Sequence, residues 1–83
     1  MKVLYFAWLR ERLNRGEDNV TPPPSVATIA DLLDWLADND ETAAGAFADR
    51  KSIRAAINEE LVDHTAPIAG ARTIAFFPPM TGG

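Results

Sequence analysis

The stretch TIADLLDWLA, residues 28–37, decides the fold. Thr28 carries a hydroxyl of the kind that caps helix N-termini. Asp31, three positions on, is favourable in a first turn because its charge meets the positive end of the helix dipole. Ile29, Leu32, Leu33 and Leu36 then recur at the i, i+3, i+4, i+7 spacing of one helix face, while Asp31, Asp34 and Asp38 share the opposite side. This spacing predicts an amphipathic helix over about residues 29–37. A helix with one apolar stripe must bury it against another element, and most of the flanking sequence reads as strand.

Before the helix, KVLYFAW (residues 2–8) is rich in β-branched and aromatic residues and is read as a strand. Residues 9–13 form one short helical turn ahead of a loop at Gly16. NVTPPPS (residues 19–25) holds a brief second strand, ended by Pro22, Pro23 and Pro24, which cannot continue a ladder. After the helix, ETAAGAFADR (residues 41–50) is a weaker helical segment. SIRAAI (residues 52–57) is a strand with Ile53 and Ile57 on one face and Arg54 on the other. NEE makes a turn, Leu61 and Val62 a short return strand, residues 67–71 a loop and TIAFF (residues 73–77) the last strand. The order β, β, α, β, β, β fits an α+β class and a β-grasp, ubiquitin-like arrangement. It implies a mixed sheet of about five strands on one main helix, a single domain over residues 1–83, and a flexible tail from about residue 78.

Alternation along the first strand turns Val3, Tyr5 and Ala7 toward the helix and leaves Leu4, Phe6 and Trp8 on the other face. On the last strand Phe77 lies opposite Ile74 and Phe76. The second face is therefore unusually apolar, which calls for something to cover it.

Composition narrows the function. The chain has no cysteine, so a disulfide framework, a thiolate metal site and a cysteine nucleophile are all excluded. With 12 acidic against 8 basic residues the net charge is −4, which argues against nucleic acid and mildly favours a partner with a basic surface. The longest apolar run, residues 3–9, is too short to span a bilayer. Arg10, Glu11 and Arg12 follow it at once with no cleavage site, so no membrane partner and a cytoplasmic location are expected. His64 is a lone histidine beside Asp63, read as an exposed loop residue, and a metal site needs more ligands. Asp31, Asp34 and Asp38 read as a solvated helix face, Glu59 and Glu60 as turn residues, and Gly16, Gly45 and Gly70 form no phosphate-cradling motif. No bound metal or cofactor is expected, and no side chains form a catalytic set.

The C-terminus, AFFPPMTGG, is where chemistry can reside. Gly82 and Gly83 can thread a passage too narrow for any other residue. Pro78 and Pro79 favour an extended spacer that lowers the cost of ordering the tail. Met80, Thr81, Gly82 and Gly83 reach about 13 Å beyond it. The Gly83 carboxylate is a poor acyl donor until adenylated, after which a sulfur donor can convert it to a thiocarboxylate.

KVLYFAWLRE (residues 2–11), AAINEELV (residues 55–62) and AFFPPMTGG (residues 75–83) together resemble the small subunit of molybdopterin synthase, the MoaD family of ubiquitin-like sulfur carriers. The likeness covers most of the chain, and the ending is its specific part. It implies a β-grasp fold and a sulfur-donor subunit without catalytic side chains of its own. Its expected partners are an ATP-dependent, E1-like activating enzyme that adenylates Gly83, a sulfur donor protein, and the molybdopterin synthase large subunit. That large subunit forms a heterotetramer with two small subunits at its ends. There the thiocarboxylate sulfur helps build the dithiolene of molybdopterin from a cyclic pyranopterin monophosphate, using catalytic groups of the large subunit. The family's partner contacts fall on Phe6, Leu61 and Phe77, which accounts for the apolar second face.

One segment departs from the family. Where Asp-Gly-Asp-Glu usually precedes the last strand, this chain has Ala69, Gly70, Ala71, Arg72 and Thr73, with the glycine one place early. Two other readings stay open: a related carrier or protein modifier of thiamine-pathway or archaeal type, and a binding module whose diglycine is incidental. Thiamine-pathway carriers also end in diglycine but generally lack the Phe-Phe-Pro-Pro lead-in, whereas some archaeal modifiers share it.

Overall fold

Strand β1 (Lys2–Tyr5) lies parallel to the last strand, Thr73–Phe77, in the computed structural model, which describes residues 1–79. The readings made for Met80, Thr81, Gly82 and Gly83 lie outside the described residues. Along the chain β1 is followed by helix α1 (Trp8–Leu13), β2 (Glu17–Asn19), α2 (Ile29–Asn39), α3 (Glu41–Ala46), β3 (Arg54–Ile57), β4 (Glu60–Val62) and β5 (Thr73–Phe77). The sheet order is β2-β1-β5-β3-β4, with β1 and β5 parallel and every other pair antiparallel. Parallel neighbours need a crossover, and α2 lies in the segment that makes it. The result is the expected β-grasp: a mixed five-stranded sheet whose central member is the strand that leads to the tail.

The helix forms as its sequence predicts and runs two residues further. Thr28 Oγ1 accepts the Asp31 N–H at 3.2 Å, while Asp31 Oδ2 accepts the N–H groups of Ala27 at 3.1 Å and Thr28 at 3.3 Å. This reciprocal capping box satisfies N–H groups that the helix itself leaves unpaired. At the other end Asp40 starts α3 by accepting the Thr42 N–H at 2.9 Å. Ile29, Leu32, Leu33 and Leu36 bury themselves against Val3, Tyr5, Ala55, Ile74 and Phe76 of the sheet, the main layer of the core. Leu9, Leu13, Ala43, Ala46 and Phe47 close one end of that core, and Ile68 joins it from the loop before β5. Asp31 serves the cap and Asp34 Oδ1 pairs with Arg50 Nη1 at 2.7 Å, so two of the three helix acids have structural partners.

Four expectations are corrected. The second strand is Glu17–Asn19, paired through Asp18 opposite Val3, and it meets the stretch read as strand only at Asn19. The first strand stops at Tyr5 rather than running to Trp8. Phe6 still donates its N–H to the Phe76 carbonyl at 3.1 Å, but Ala7 takes φ 55° and ψ −134° and turns the chain. The cause is the Leu9 and Leu13 pair, four apart, whose burial winds the segment into α1. Ala7 is consequently exposed instead of facing α2, and Trp8 opens the helix half-buried. Likewise Ser52 belongs to a 3-10 turn (Arg50–Ser52), closed by its hydroxyl donating to Asp49 Oδ2 at 2.7 Å, so β3 begins only at Arg54. Ile53 still falls on the buried side and Arg54 on the exposed one. His64 is not simply exposed. It is half-buried, with Nε2 2.8 Å from the Ile53 carbonyl, which can only accept, so Nε2 carries the proton.

The turn residues also find their roles. Asn58 (φ 48°) and Glu59 (φ 74°) form the left-handed two-residue link between β3 and β4. In the atypical segment before β5, Gly70 adopts φ 79° and the Ala71 N–H closes a tight turn on the Ile68 carbonyl at 3.0 Å. The glycine displaced by one place still sits where positive φ is required.

Replacing Ala7 by glycine removes the steric cost of a side chain at φ 55° and is expected to stabilise the domain by about 1 kcal/mol in urea unfolding. Thr28→Ala is expected to destabilise it by about 1 kcal/mol through loss of the cap. A destabilised Ala7→Gly protein would mean that the turn at Ala7 carries no strain.

Candidate functional site

The face of the sheet away from α2 is built by the strand register. Leu4 lies opposite Ala75, Ala75 opposite Ala56 and Ala56 opposite Leu61, so an apolar row crosses β1, β5, β3 and β4 without interruption. One row further along, toward the end of β5, Phe77 lies opposite Arg54, with Phe6 beside it. Phe6 is 47% exposed and Leu61 64%, the two exposed large hydrophobic residues among those described. Phe77 is half-buried. The alanines make a low floor between the aromatic pair and Leu61. Phe6 just past β1, Phe77 of β5 and Leu61 of the edge strand β4 thus share one surface, the first two as alternation in the sequence predicts and Leu61 as the family resemblance implies. Pro78 and Pro79, both partly exposed, leave the sheet beside the aromatic pair.

Nothing in this surface is a catalytic constellation. Among the described residues no group of three His, Asp or Glu side chains is placed to hold a metal ion, and no helix is long and apolar enough to cross a membrane. What the face offers is area for another protein.

Comparison with known proteins gives this arrangement a family. Residues 3–83 match the ThiS family. The chain belongs to the ThiS family. It is 36% identical to the molybdopterin synthase sulfur carrier subunit of Escherichia coli over 83 residues, covering 100% of this chain and 99% of that one. It is 32% identical to the protein of the same name from Haemophilus influenzae, with the same coverage. Among solved structures it is similar to SAMP1 from Haloferax volcanii, with a TM-score of 0.73 and 27% identity over 100% of this chain and 98% of that one.

In this ThiS-family domain the strand that carries Phe6 is held in place by a polar network the sequence did not reveal. Tyr5 is buried at the ring, where it packs with Phe47 (centroids 6.2 Å apart) and Phe76 (6.5 Å). Its hydroxyl emerges to donate to Asp18 Oδ2 at 2.8 Å. Arg15 Nε donates to the same oxygen at 2.8 Å, while Nη2 reaches Asp40 Oδ2 at 2.7 Å, and the guanidinium lies 5.9 Å from the centre of the Tyr5 ring. One arginine so connects β1, β2 and the junction of α2 with α3. Burial, then the Asp18 hydrogen bond, push the Tyr5 phenol far above its usual range, so it stays protonated and remains a donor. Hydrogen bonding from Arg15, then from the Thr42 backbone, holds the Asp40 carboxyl below its ordinary value of 3.8.

Asn58 was the other residue missed. Its side-chain oxygen accepts the N–H groups of Arg72 at 2.9 Å and Thr73 at 3.1 Å, and its own N–H donates to the Thr73 carbonyl at 2.9 Å, locking the start of β5 to the β3–β4 turn. The signal available was an asparagine in Ile-Asn-Glu-Glu, since asparagine tolerates left-handed backbone better than other non-glycine residues.

A carboxyl group whose folded pKa lies below its unfolded one stabilises the fold above the ordinary value, and that contribution is lost as pH falls through the folded value. Asp40→Asn should therefore be less stable than wild type at pH 7. The two proteins should converge as pH falls through the lowered value of Asp40, below 3.8. A gap in unfolding midpoint that is independent of pH would show that the Arg15 pairing is not its source.

Proposed function

We propose that this chain is the sulfur-carrier subunit of a molybdopterin synthase, acting through the carboxylate of Gly83. The observation that carries the reading is end-to-end similarity to the Escherichia coli subunit, 36% over 83 residues, in a chain with a Pro-Pro-Met-Thr-Gly-Gly ending. In the proposed cycle an ATP-dependent activating enzyme attacks no side chain of this domain. The Gly83 carboxylate displaces pyrophosphate from ATP to give an acyl-adenylate. The terminal sulfur of a donor protein's persulfide then displaces AMP, and a thiol reduces the resulting acyl disulfide, which releases the thiocarboxylate and leaves the donor in a disulfide. The loaded tail enters the large subunit, whose catalytic groups direct the sulfur into the dithiolene of molybdopterin.

The ends of the cycle divide the work within this chain. Pro78 and Pro79 space the tail, Met80, Thr81 and Gly82 thread it, Gly83 carries the sulfur, and Phe6, Leu61 and Phe77 dock the large subunit in a heterotetramer. The chain holds no cofactor; ATP is consumed by the activating partner, in the cytoplasm where these partners would be met. A second reading, a protein modifier joined through Gly83 to lysines of other proteins, draws on the likeness to SAMP1. The higher identity to the sulfur carriers, 36% against 27%, favours the first.

Incubation with the activating enzyme, ATP and a sulfur source should replace one terminal oxygen by sulfur, read by intact-mass analysis. Deleting Gly83, or adding a residue after it, should abolish loading with the melting temperature unchanged. If the extended protein is loaded and still supports dithiolene synthesis, the carrier reading fails, and recovery of Gly83 in isopeptide bonds would favour the modifier. Gly82→Ala should reduce single-turnover sulfur transfer by about ten- to a hundredfold, because an added methyl strains a tight passage. Full transfer by this variant would mean that no narrow channel is threaded.

A further inference from the structure

The aromatic pair and Leu61 are separated by the alanine floor. Phe6 follows β1, Phe77 ends β5, Leu61 lies on the edge strand β4, and β3 runs between β5 and β4. On the open face β3 presents Ala56 and Arg54, the latter directly opposite Phe77. Arg54, opposite Phe77 and two residues from Ala56, borders the alanine floor, so a surface that spans the aromatic pair and Leu61 also comes against Arg54. Arg54 is exposed and, among the described residues, makes no ion pair and no hydrogen bond, although Asp63 borders the same surface depressions. A guanidinium cannot shed its charge, and covering it without a counter-charge opposes association.

We propose that the partner docking on this face presents a carboxylate to Arg54, so that Arg54 selects the partner while the apolar anchors hold it. The inference rests on the functional reading above and takes the synthase large subunit as the occupant. It also reverses, locally, what the net charge of −4 suggests. The chain as a whole is acidic, but the docking face carries beside its alanine floor a cation that makes no ion pair among the described residues, and it needs an acidic complement. Arg54 is a recognition residue with no part in the chemistry of Gly83.

The test is binding of the large subunit to the full chain at several ionic strengths, with Arg54→Met, Arg54→Glu, Asp63→Asn and Phe77→Ala. Arg54 is exposed, so its variants should keep the wild-type melting temperature. Arg54→Met should weaken binding by about tenfold and Arg54→Glu by at least about a hundredfold, both with a shallower salt dependence of association. Asp63→Asn should leave binding unchanged or tighten it. Arg54→Met binding as tightly as wild type, a loss indifferent to salt, or Asp63→Asn weakening binding more than Arg54→Met would each overturn the proposal, the last by making Asp63 the internal counter-charge. A wild-type chain that does not bind the large subunit sinks the functional reading itself. Wild-type binding that Phe77→Ala weakens and Arg54→Met does not sinks only the role of Arg54.

Discussion

The structure depends on the placement of its last strand at the centre of the sheet. With β1 parallel on one side and β3 antiparallel on the other, β5 has both edges paired, and its inward residues, Ile74 and Phe76, sit in the middle of the core under α2. A central strand of this kind pairs only late, since one neighbour, β1, comes from the far end of the sequence. The same placement puts Phe77 next to Phe6 and Pro78 and Pro79 beside the apolar face. Fold and apolar face are two results of one pairing.

Around that pairing the domain uses polar groups sparingly and in fixed places. Arg15 joins three elements through Asp18 and Asp40, with side chains about a third exposed, so each ion pair is modest and screened. Its value is geometric: it fixes β1 against β2 and the α2–α3 corner, keeping Phe6 level with Phe77. Asn58 does the same at the opposite end of β5. The face between these two clamps carries small alanines at its centre, which leaves room for a partner to approach the backbone of the sheet.

The parts of this design that were legible in the sequence are those set by periodicity. The 3.6-residue pattern of Ile29, Leu32, Leu33 and Leu36 and the two-residue alternation of Val3, Tyr5, Ile74 and Phe76 both report which side of an element meets the core. From these alone the α2 helix, the β-grasp class and the open face of Phe6 and Phe77 could be derived, while Leu61 was reached only through the family resemblance. Alternation failed at Ala7, where a tertiary demand, the burial of Leu9 and Leu13, overrode a run of residues with high strand propensity. Arg15, Asp18 and Asp40 were invisible for another reason. They are 3 and 22 positions apart along the chain, and no periodicity links residues that meet only once helix and hairpin are packed. His64 was misjudged on the same grounds: its partner is a main-chain carbonyl, and such contacts leave no trace in side-chain pattern.

The parallel alignment of β1 and β5 has a mechanical consequence. The N-terminus enters at one end of the pair, and the chain leaves β5 at the other, so tension applied between the chain's two ends acts along the strands and loads their hydrogen bonds in shear. Rungs loaded in shear must rupture together, whereas a pair peeled from one end opens a rung at a time. A domain held by its body and pulled by its tail therefore resists as a unit. Its last strand can serve as a tether without being drawn out of the sheet it completes.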